Sequence, residues 1–329
     1  MFIVTGGAGF IGSNLVHALE CSYPTTQIVV CDFLGSDEKW QNLAKRSHIS
    51  TLIYPEDLSD FLHTHSQEIK AIFHLGAISS TTERDADLIV RSNIHLSLDL
   101  WHWCTQYKIP FIYASSAATY GDGQRGFIDT QELEELKHLR PLNAYGWSKH
   151  FFDLKAVQMS LRGIHPPQWV GLKFFNVYGP NEYHKEGQKS VISTFYHHIQ
   201  KQGGIHLFKS TDSAYPDGGQ IRDFIWVQDC IRVMIWMYEH PLISGLFNVG
   251  TGMRQTFNDL AHGVFKSLSL SPQIEYIEMP ESLRDKYQNF TQANLTKLRS
   301  VGYSNPFISL EEGINLYIQN FLTQGDPYL

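Results

Sequence analysis

Thr5-Gly6-Gly7-Ala8-Gly9-Phe10-Ile11-Gly12 follows directly on a short apolar run, Phe2-Ile3-Val4, and opens straight into a helical pattern. Gly6, Gly9 and Gly12 recur every third residue, and Gly7, Gly9 and Gly12 also satisfy G-x-G-x-x-G. Glycines in a strand-to-helix turn let a pyrophosphate approach the backbone N–H groups at the helix N-terminus. A chain that opens this way is committed to β-α-β units and a parallel sheet.

The rest of the first half keeps that rhythm. Apolar runs at Phe2–Thr5, Gln27–Cys31, Ala71–Leu75, Pro110–Ser115 and Gln168–Phe174 read as strands, and Phe10–Glu20, Asp85–Tyr107 and Tyr145–Leu161 as the clearest helices. The expected fold is α/β, a doubly wound parallel sheet of the Rossmann type. After about residue 176 the pattern breaks into loops, with Gly, Pro, Ser and Asp concentrated over Ser210–Gln220. Asp223–Val227, a helix over Gln228–Tyr238 and a strand over Leu246–Val249 read as returns to the first sheet. This assigns residues 1–175 and 223–251 to a dinucleotide-binding domain. Residues 176–222 and 252–323 form a smaller, discontinuous α/β unit for substrate, and 324–329 are expected to fray.

Composition narrows the function classes. Lys plus Arg number 26 against 33 Asp plus Glu, a formal charge of −7, which argues against nucleic-acid binding. An anionic ligand must therefore be met by a local cluster of donors. No apolar run approaches the ~20 residues of a membrane helix, and no signal-type segment opens the chain, so a cytoplasmic protein without a membrane partner is expected. The four cysteines are scattered and read as buried free thiols, and the histidines have no completing cluster, so no metal is expected.

Asp32 ends the second strand about twenty residues beyond the glycine turn, where an acid binds the adenosine ribose hydroxyls. A carboxylate there favours NAD, whereas Lys39 just downstream, or Lys45 or Arg46, can neutralise the extra phosphate of NADP. These residues leave the choice of cofactor open.

Tyr145-Gly146-Trp147-Ser148-Lys149 places a Tyr and a Lys one turn apart on one helical face. A phenol titrates near ~10, and a nearby ammonium makes its phenolate accessible as a general base. Ser116, at the end of the preceding strand, can hydrogen-bond the same carbinol oxygen. Arg222, beside Asp223-Phe224, can clamp a diphosphate bidentately.

With these motifs the chain resembles the extended short-chain dehydrogenase/reductases that act on nucleotide sugars. Within them it is similar to the ADP-L-glycero-D-manno-heptose 6-epimerase family over nearly its whole length. The segments carrying the resemblance are Met1–Asn14, Ser79–Glu83 (SSTTE), Ala114–Gly121 (ASSAATYG), Phe174–Pro180 (FFNVYGP) and Tyr287–Ala293 (YQNFTQA).

The resemblance implies a tightly held NADP, with NAD as the other option, at Gly6, Gly9, Phe10, Ile11, Gly12, Asp32, Phe33, Lys39, Leu75, Gly76, Ala77, Ile78, Ser79, Asn93, Lys149 and Val177. It implies Tyr145 as one proton acceptor and Lys185, within Asn181-Glu182-Tyr183-His184-Lys185, as a second. It assigns the ADP-heptose substrate to Asn176, Gly187, Phe208, Lys209, Ser210, Thr211, Arg222 and Tyr287, and it implies a homo-oligomer. Two acid–base groups suit a 6-epimerase, because the hydroxyl proton must leave and return at different places.

The sequence also departs from the family. Ile53-Tyr54-Pro55 lacks a second lysine, Leu75 stands where an acid is usual, and Lys185–Lys189 lacks a serine. Residues 212–220 form a longer segment than usual. The alternatives are a UDP-hexose 4-epimerase with NAD, which needs no second base, and a non-catalytic dinucleotide-binding protein. A 4,6-dehydratase is disfavoured by Ala117-Ala118, where that group carries an acid pair.

Overall fold

Phe2, Ile3 and Val4 are all 0% exposed, yet they serve two different cores, Ile3 on one face of a sheet and Phe2 and Val4 on the other. Burial on both faces is what a parallel sheet covered by helices requires. The computed structural model describes residues 1–281 and 288–329.

The first half runs β1 (Phe2–Thr5), α1 (Phe10–Ser22), β2 (Ile28–Cys31), β3 (Ile49–Ile53), α2 (Leu58–Thr64) and β4 (Ala71–His74). It continues through α3 (Ala86–Ile89), a π-helical stretch Val90–His95, α4 (Leu96–Tyr107), β5 (Phe111–Ser116), α5 (Leu133–Lys137), α6 (Ala144–Leu161) and β6 (Trp169–Phe174). The second half comprises β7 (Asn176–Tyr178), α7 (Val191–Gln202), β8 (Ile205–Phe208), β9 (Ile221–Arg222), β10 (Phe224–Trp226), α8 (Val227–Glu239) and β11 (Gly245–Val249). It ends with β12 (Gln255–Thr256), α9 (Phe257–Ser267), β13 (Ile274–Ile277), α10 (Thr296–Ser300) and α11 (Leu310–Tyr317).

Seven parallel strands form the main sheet in the order β11-β6-β5-β4-β1-β2-β3. The order reverses between β1 and β4, so the crevice for a dinucleotide opens at their carboxyl ends. Trp101 of α4 and Phe152 of α6 cover one face. Leu15 and Leu19 of α1, with Met234 and Met237 of α8, cover the other. A third core joins Ile192 and Phe195 of α7, Leu260 and Phe265 of α9, and Ile314 and Tyr317 of α11. No helix among the described residues is long and apolar enough to cross a membrane.

Several expectations change. β3 was not read as a strand because it is an edge strand whose residues alternate between half-buried and exposed, which leaves a weak apolar signal. Asp223–Val227 does not return to the first sheet. Its strand β10 pairs with β7, and Phe224 and Trp226 face the smaller core while Ile225 faces the larger. β11 does join the main sheet, beside β6.

The tail makes contacts with the rest of the chain. The Tyr183 hydroxyl donates to the Pro327 carbonyl at 2.8 Å, the Leu329 N–H to Asn181 Oδ1 at 2.9 Å, and Lys45 pairs with Asp326 at 2.9 Å. Cys31, Cys104 and Cys230 are buried free thiols, but Cys21 is exposed on α1.

Candidate active site

The glycine turn is built by contact. Gly6 has φ +69°, and a Cβ there would lie 2.5 Å from Gly76 N; one on Gly12 would lie 2.0 Å from Gly6 O. Only glycine at both positions lets β1, α1 and the end of β4 approach this closely. Gly9 is the N-cap of α1 and brings no side-chain cap, so the first-turn N–H groups face the cleft without a competing side-chain acceptor.

The cleft above this turn has a volume of about 900 Å³, within the usual range for small-molecule sites. Gly6, Gly9, Phe10, Ile11 and Gly12 line one end with Asp32 and Lys39. Leu75, Gly76, Ala77 and Ser79 follow along the end of β4, and Val177 and Asn176 lie beyond. The turn, the helix N-terminus and the acid after β2 together fit a dinucleotide with its pyrophosphate on α1.

Asp32 is held from both sides. Its Oδ2 accepts the Ala8 N–H at 2.9 Å, and its Oδ1 accepts Lys39 Nζ at 2.7 Å. Lys39 also donates to the Phe33 carbonyl at 2.8 Å. Lys45 and Arg46 are engaged elsewhere, with Asp326 and with Glu20. Phe33 is half exposed and stacks on Tyr54 outside the cleft.

Asn93 and Ile78 also act from behind the lining. Asn93 Oδ1 accepts the Ile78 N–H at 2.8 Å, and its Nδ2 donates to the Ile78 carbonyl and to Ser148 Oγ, each at 3.0 Å. The Ser148 hydroxyl then donates to the Tyr145 carbonyl at 2.7 Å. The loop after β4 and helix α6 are thereby joined through buried side chains.

Asn143 caps α6 by accepting the Gly146 N–H at 2.8 Å, which starts the helix one residue before Tyr145. Tyr145, Lys149 and Ser116 all line the cleft. Burial pushes the Tyr145 phenol above its ordinary value, and a hydrogen bond with Ser116 opposes this. Burial lowers Lys149 to about 8, with Asp153 acting in the other direction. Burial thus acts on the two groups in opposite senses, holding the proton on the phenol and loosening it on the ammonium.

Lys185 also lines the cleft, its Nζ 4.7 Å from the centroid of the Phe10 ring. Burial lowers its proton affinity and Glu182 opposes this. The cleft thus carries two candidate acid–base groups on different elements, Tyr145 on α6 and Lys185 on the loop before α7. Gly187 also lines it, as do Glu182, His184 and Ser190, which the sequence reading assigned no role. The loop is stapled to α1 by Asn14 Nδ2 on the Pro180 carbonyl at 3.0 Å and by Asn181 Nδ2 on Ser13 Oγ at 2.9 Å.

Among the described substrate candidates, Phe208, Lys209, Ser210, Thr211 and Arg222 do not line this cleft. Lys209 pairs with Glu278 at 2.9 Å, and the Ser210 N–H donates to Asp217 at 2.8 Å. Phe208 and Thr211 flank them and do not line the cleft. Arg222 is buried with its guanidinium 5.5 Å from the Phe257 ring centroid, and Nη1 donates to the Ile221 carbonyl at 2.9 Å. Tyr287 lies outside the described residues. Among the described residues, no group of three or more His, Cys, Asp and Glu is placed to hold a metal ion.

The chain is similar to known proteins in family, sequence and fold. Residues 2–250 match the NAD dependent epimerase/dehydratase family. A protein from Nitratidesulfovibrio vulgaris strain DP4, named ADP-L-glycero-D-manno-heptose-6-epimerase, is 46% identical over 331 residues, covering 100% of both chains. The crystal structure of Helicobacter pylori ADP-L-glycero-D-manno-heptose-6-epimerase matches with a TM-score of 0.81 and 28% identity, over 97% of this chain and 95% of that one. A UDP-N-acetylglucosamine 4-epimerase from Methanobrevibacter ruminantium M1, in complex with UDP-N-acetylmuramic acid, matches with a TM-score of 0.82 and 25% identity, over 98% of each chain.

Proposed function

Because the chain belongs to the NAD dependent epimerase/dehydratase family, we propose that it inverts C6 of ADP-D-glycero-β-D-manno-heptose, giving ADP-L-glycero-β-D-manno-heptose. The observation that carries this reading is the second acid–base group: Lys185 faces the same cleft as Tyr145 from a different element. The full-length relative named above supports the choice of sugar.

The chain fits a nicotinamide dinucleotide, held by the Gly6–Gly12 turn, Asp32 and the stretch from Leu75 to Ser79. When bound, it supplies a ring that accepts hydride and gives it back, so the reaction has no net redox change. Lys39 beside Asp32 supports NADP, because its ammonium offsets the carboxylate that would otherwise repel the extra phosphate.

The protein's own residues handle the proton. Tyr145 acts as general base toward the C6 hydroxyl, with Ser116 hydrogen-bonded to the phenol and opposing the upward push of burial, and with Lys149 one turn away on the same helix. Loss of that proton and of hydride leaves a ketone at C6. Once the ketone has turned its other face, hydride return makes an alkoxide pointing away from Tyr145. In this reading Lys185 gives that oxygen its proton, which its presence in the lining of the same cleft supports. Running the sequence backwards exchanges the two roles. The family resemblance adds a cytoplasmic homo-oligomer, whose subunit number light scattering would read.

The test is proton NMR of ADP-D-glycero-β-D-manno-heptose incubated with purified enzyme and no added cofactor. A mixture of the two C6 epimers is expected. No conversion after adding NADP and then NAD, with turnover of a UDP-hexose instead, would replace this reading with a 4-epimerase.

A further inference from the structure

Glu182 is 1% exposed and lines the cleft. Its carboxylate accepts three donors: the Ser190 N–H at 2.5 Å, the Ser190 hydroxyl at 2.6 Å and the Tyr317 hydroxyl at 2.8 Å. Ser190 is the N-cap residue of α7, and Tyr317 ends α11. Glu182 therefore ties the two ends of the 182–190 loop to each other and to the smaller core. Inside that closure the Lys185 N–H donates to the Glu182 carbonyl at 3.1 Å, and the Gln188 N–H to the Lys185 carbonyl at 2.6 Å. Lys185 sits near the middle of the clamped stretch.

A buried carboxylate is costly, and for stability alone an apolar side chain of similar volume often serves as well or better. Its retention beside a cleft lysine calls for another role. We propose that Glu182 is the positioning residue for Lys185, closing the loop so that the ammonium is held over Phe10 at the cofactor end of the cleft. The inference rests on Lys185 being the second acid–base group.

Charge works in the same direction as geometry. Burial favours the neutral amine of Lys185, and the carboxylate of Glu182 favours the ammonium that must return a proton. Among the described residues, the titratable groups around the pair include His184 and Lys189 of the same loop, Tyr183, and Tyr317 of α11; Lys39 and Asp37 act on His184. Tyr145 and Lys149 line the same cleft.

The experiment compares Lys185→Met, Glu182→Gln and Tyr317→Phe with the parent enzyme, each carrying its retained cofactor. Melting temperature, kcat, KM and the pH profile of kcat are read for each. Glu182→Gln keeps the side chain's size and removes its charge. It should lower kcat roughly 10-fold, part of the total that a positioned acid–base group supplies, with KM within about twofold. The limb of the pH profile that Lys185→Met abolishes should move to lower pH. Tyr317→Phe should show a smaller loss of kcat, about threefold, at unchanged KM.

If Lys185→Met is inactive while Glu182→Gln keeps the parent kcat and pH profile, the proposal is overturned and the two-base reading stands. If Lys185→Met turns over at the parent rate, the two-base reading itself falls and takes the proposal with it. Should Glu182→Gln fail to fold, Tyr317→Phe decides, and a parent-like kcat there overturns the proposal.

Discussion

Lys173 Nζ and Asp153 Oδ2 meet at 2.6 Å, with 0% of either side chain exposed. The same carboxylate accepts the Ser115 hydroxyl at 2.6 Å and the Tyr113 hydroxyl at 2.9 Å, and Lys173 also donates to Thr119 at 2.8 Å. Asp153 lies one turn beyond Lys149 on α6, so the pair ties α6 to β6 behind the cleft. Replacing Lys173 with Met strands a buried carboxylate and should cost about 3–5 kcal/mol. Urea unfolding measures this, and a loss under about 1 kcal/mol would mean that the pair contributes little.

His74 sits between the glycine turn and the helix layer. Its Nδ1 is 2.7 Å from Thr5 Oγ1 and its Nε2 2.9 Å from Ser97 Oγ. Ser97 spends its own proton on the Asn93 carbonyl, so Nε2 must donate and Nδ1 must accept, which fixes a neutral tautomer. Burial first, then Lys149, lowers His74 to about 3, against 6.5 for an ordinary histidine. Between those values the unfolded chain binds the extra proton, so stability should fall as pH drops from 6.5 towards 3. The slope is up to about 1.4 kcal/mol per pH unit for each such group. His150 and His184, both lowered to about 4 by burial, add to it. Urea midpoints at pH 7.5, 6 and 5 should show the trend, and His74→Gln should flatten it by one group.

Tyr145→Phe removes the hydroxyl and leaves the ring. Activity should fall by roughly 10²- to 10⁴-fold, the contribution of a positioned general base. Retained cofactor, read by absorbance after desalting, should be unchanged. Loss of cofactor together with activity would assign Tyr145 a structural role.

Lys39→Ala uncovers the Asp32 carboxylate. NADP binding should weaken by roughly 10-fold or more, one charge-assisted contact of about 1.5–3 kcal/mol, while NAD binding changes less. Titration of cofactor-stripped enzyme with each dinucleotide checks this. Equal losses for both would remove Lys39 from the discrimination.

What could be read from the chain was whatever is local. The glycine turn, Asp32 at the end of its strand and Tyr145 with Lys149 each declare themselves within a few residues, because strand, turn and helix geometry fix their relations. β3 escaped because an edge strand half open to water carries a weak apolar signal. Glu182 escaped although it stands inside a quoted motif, because a carboxylate shows its burial only when Ser190 and Tyr317 fold onto it. The Lys173–Asp153 pair escaped for the same reason, since it joins strand to helix across 20 residues. The contacts of the tail are not legible in the sequence because their partners, Asn181 and Tyr183, lie more than 140 residues away.

The staples from Ser13 and Asn14 to the loop at Pro180 and Asn181 bear on how such enzymes could be re-engineered. Asn14 also accepts from Gln228 of α8 at 2.7 Å, so one side chain holds α1, α8 and the loop in a single register. The loop carrying Lys185 is therefore no interchangeable cassette. A chimaera that imports residues 180–190 into a scaffold lacking Ser13, Asn14 and Gln228 would receive the lysine without its alignment. The smallest portable piece includes part of the cofactor helix.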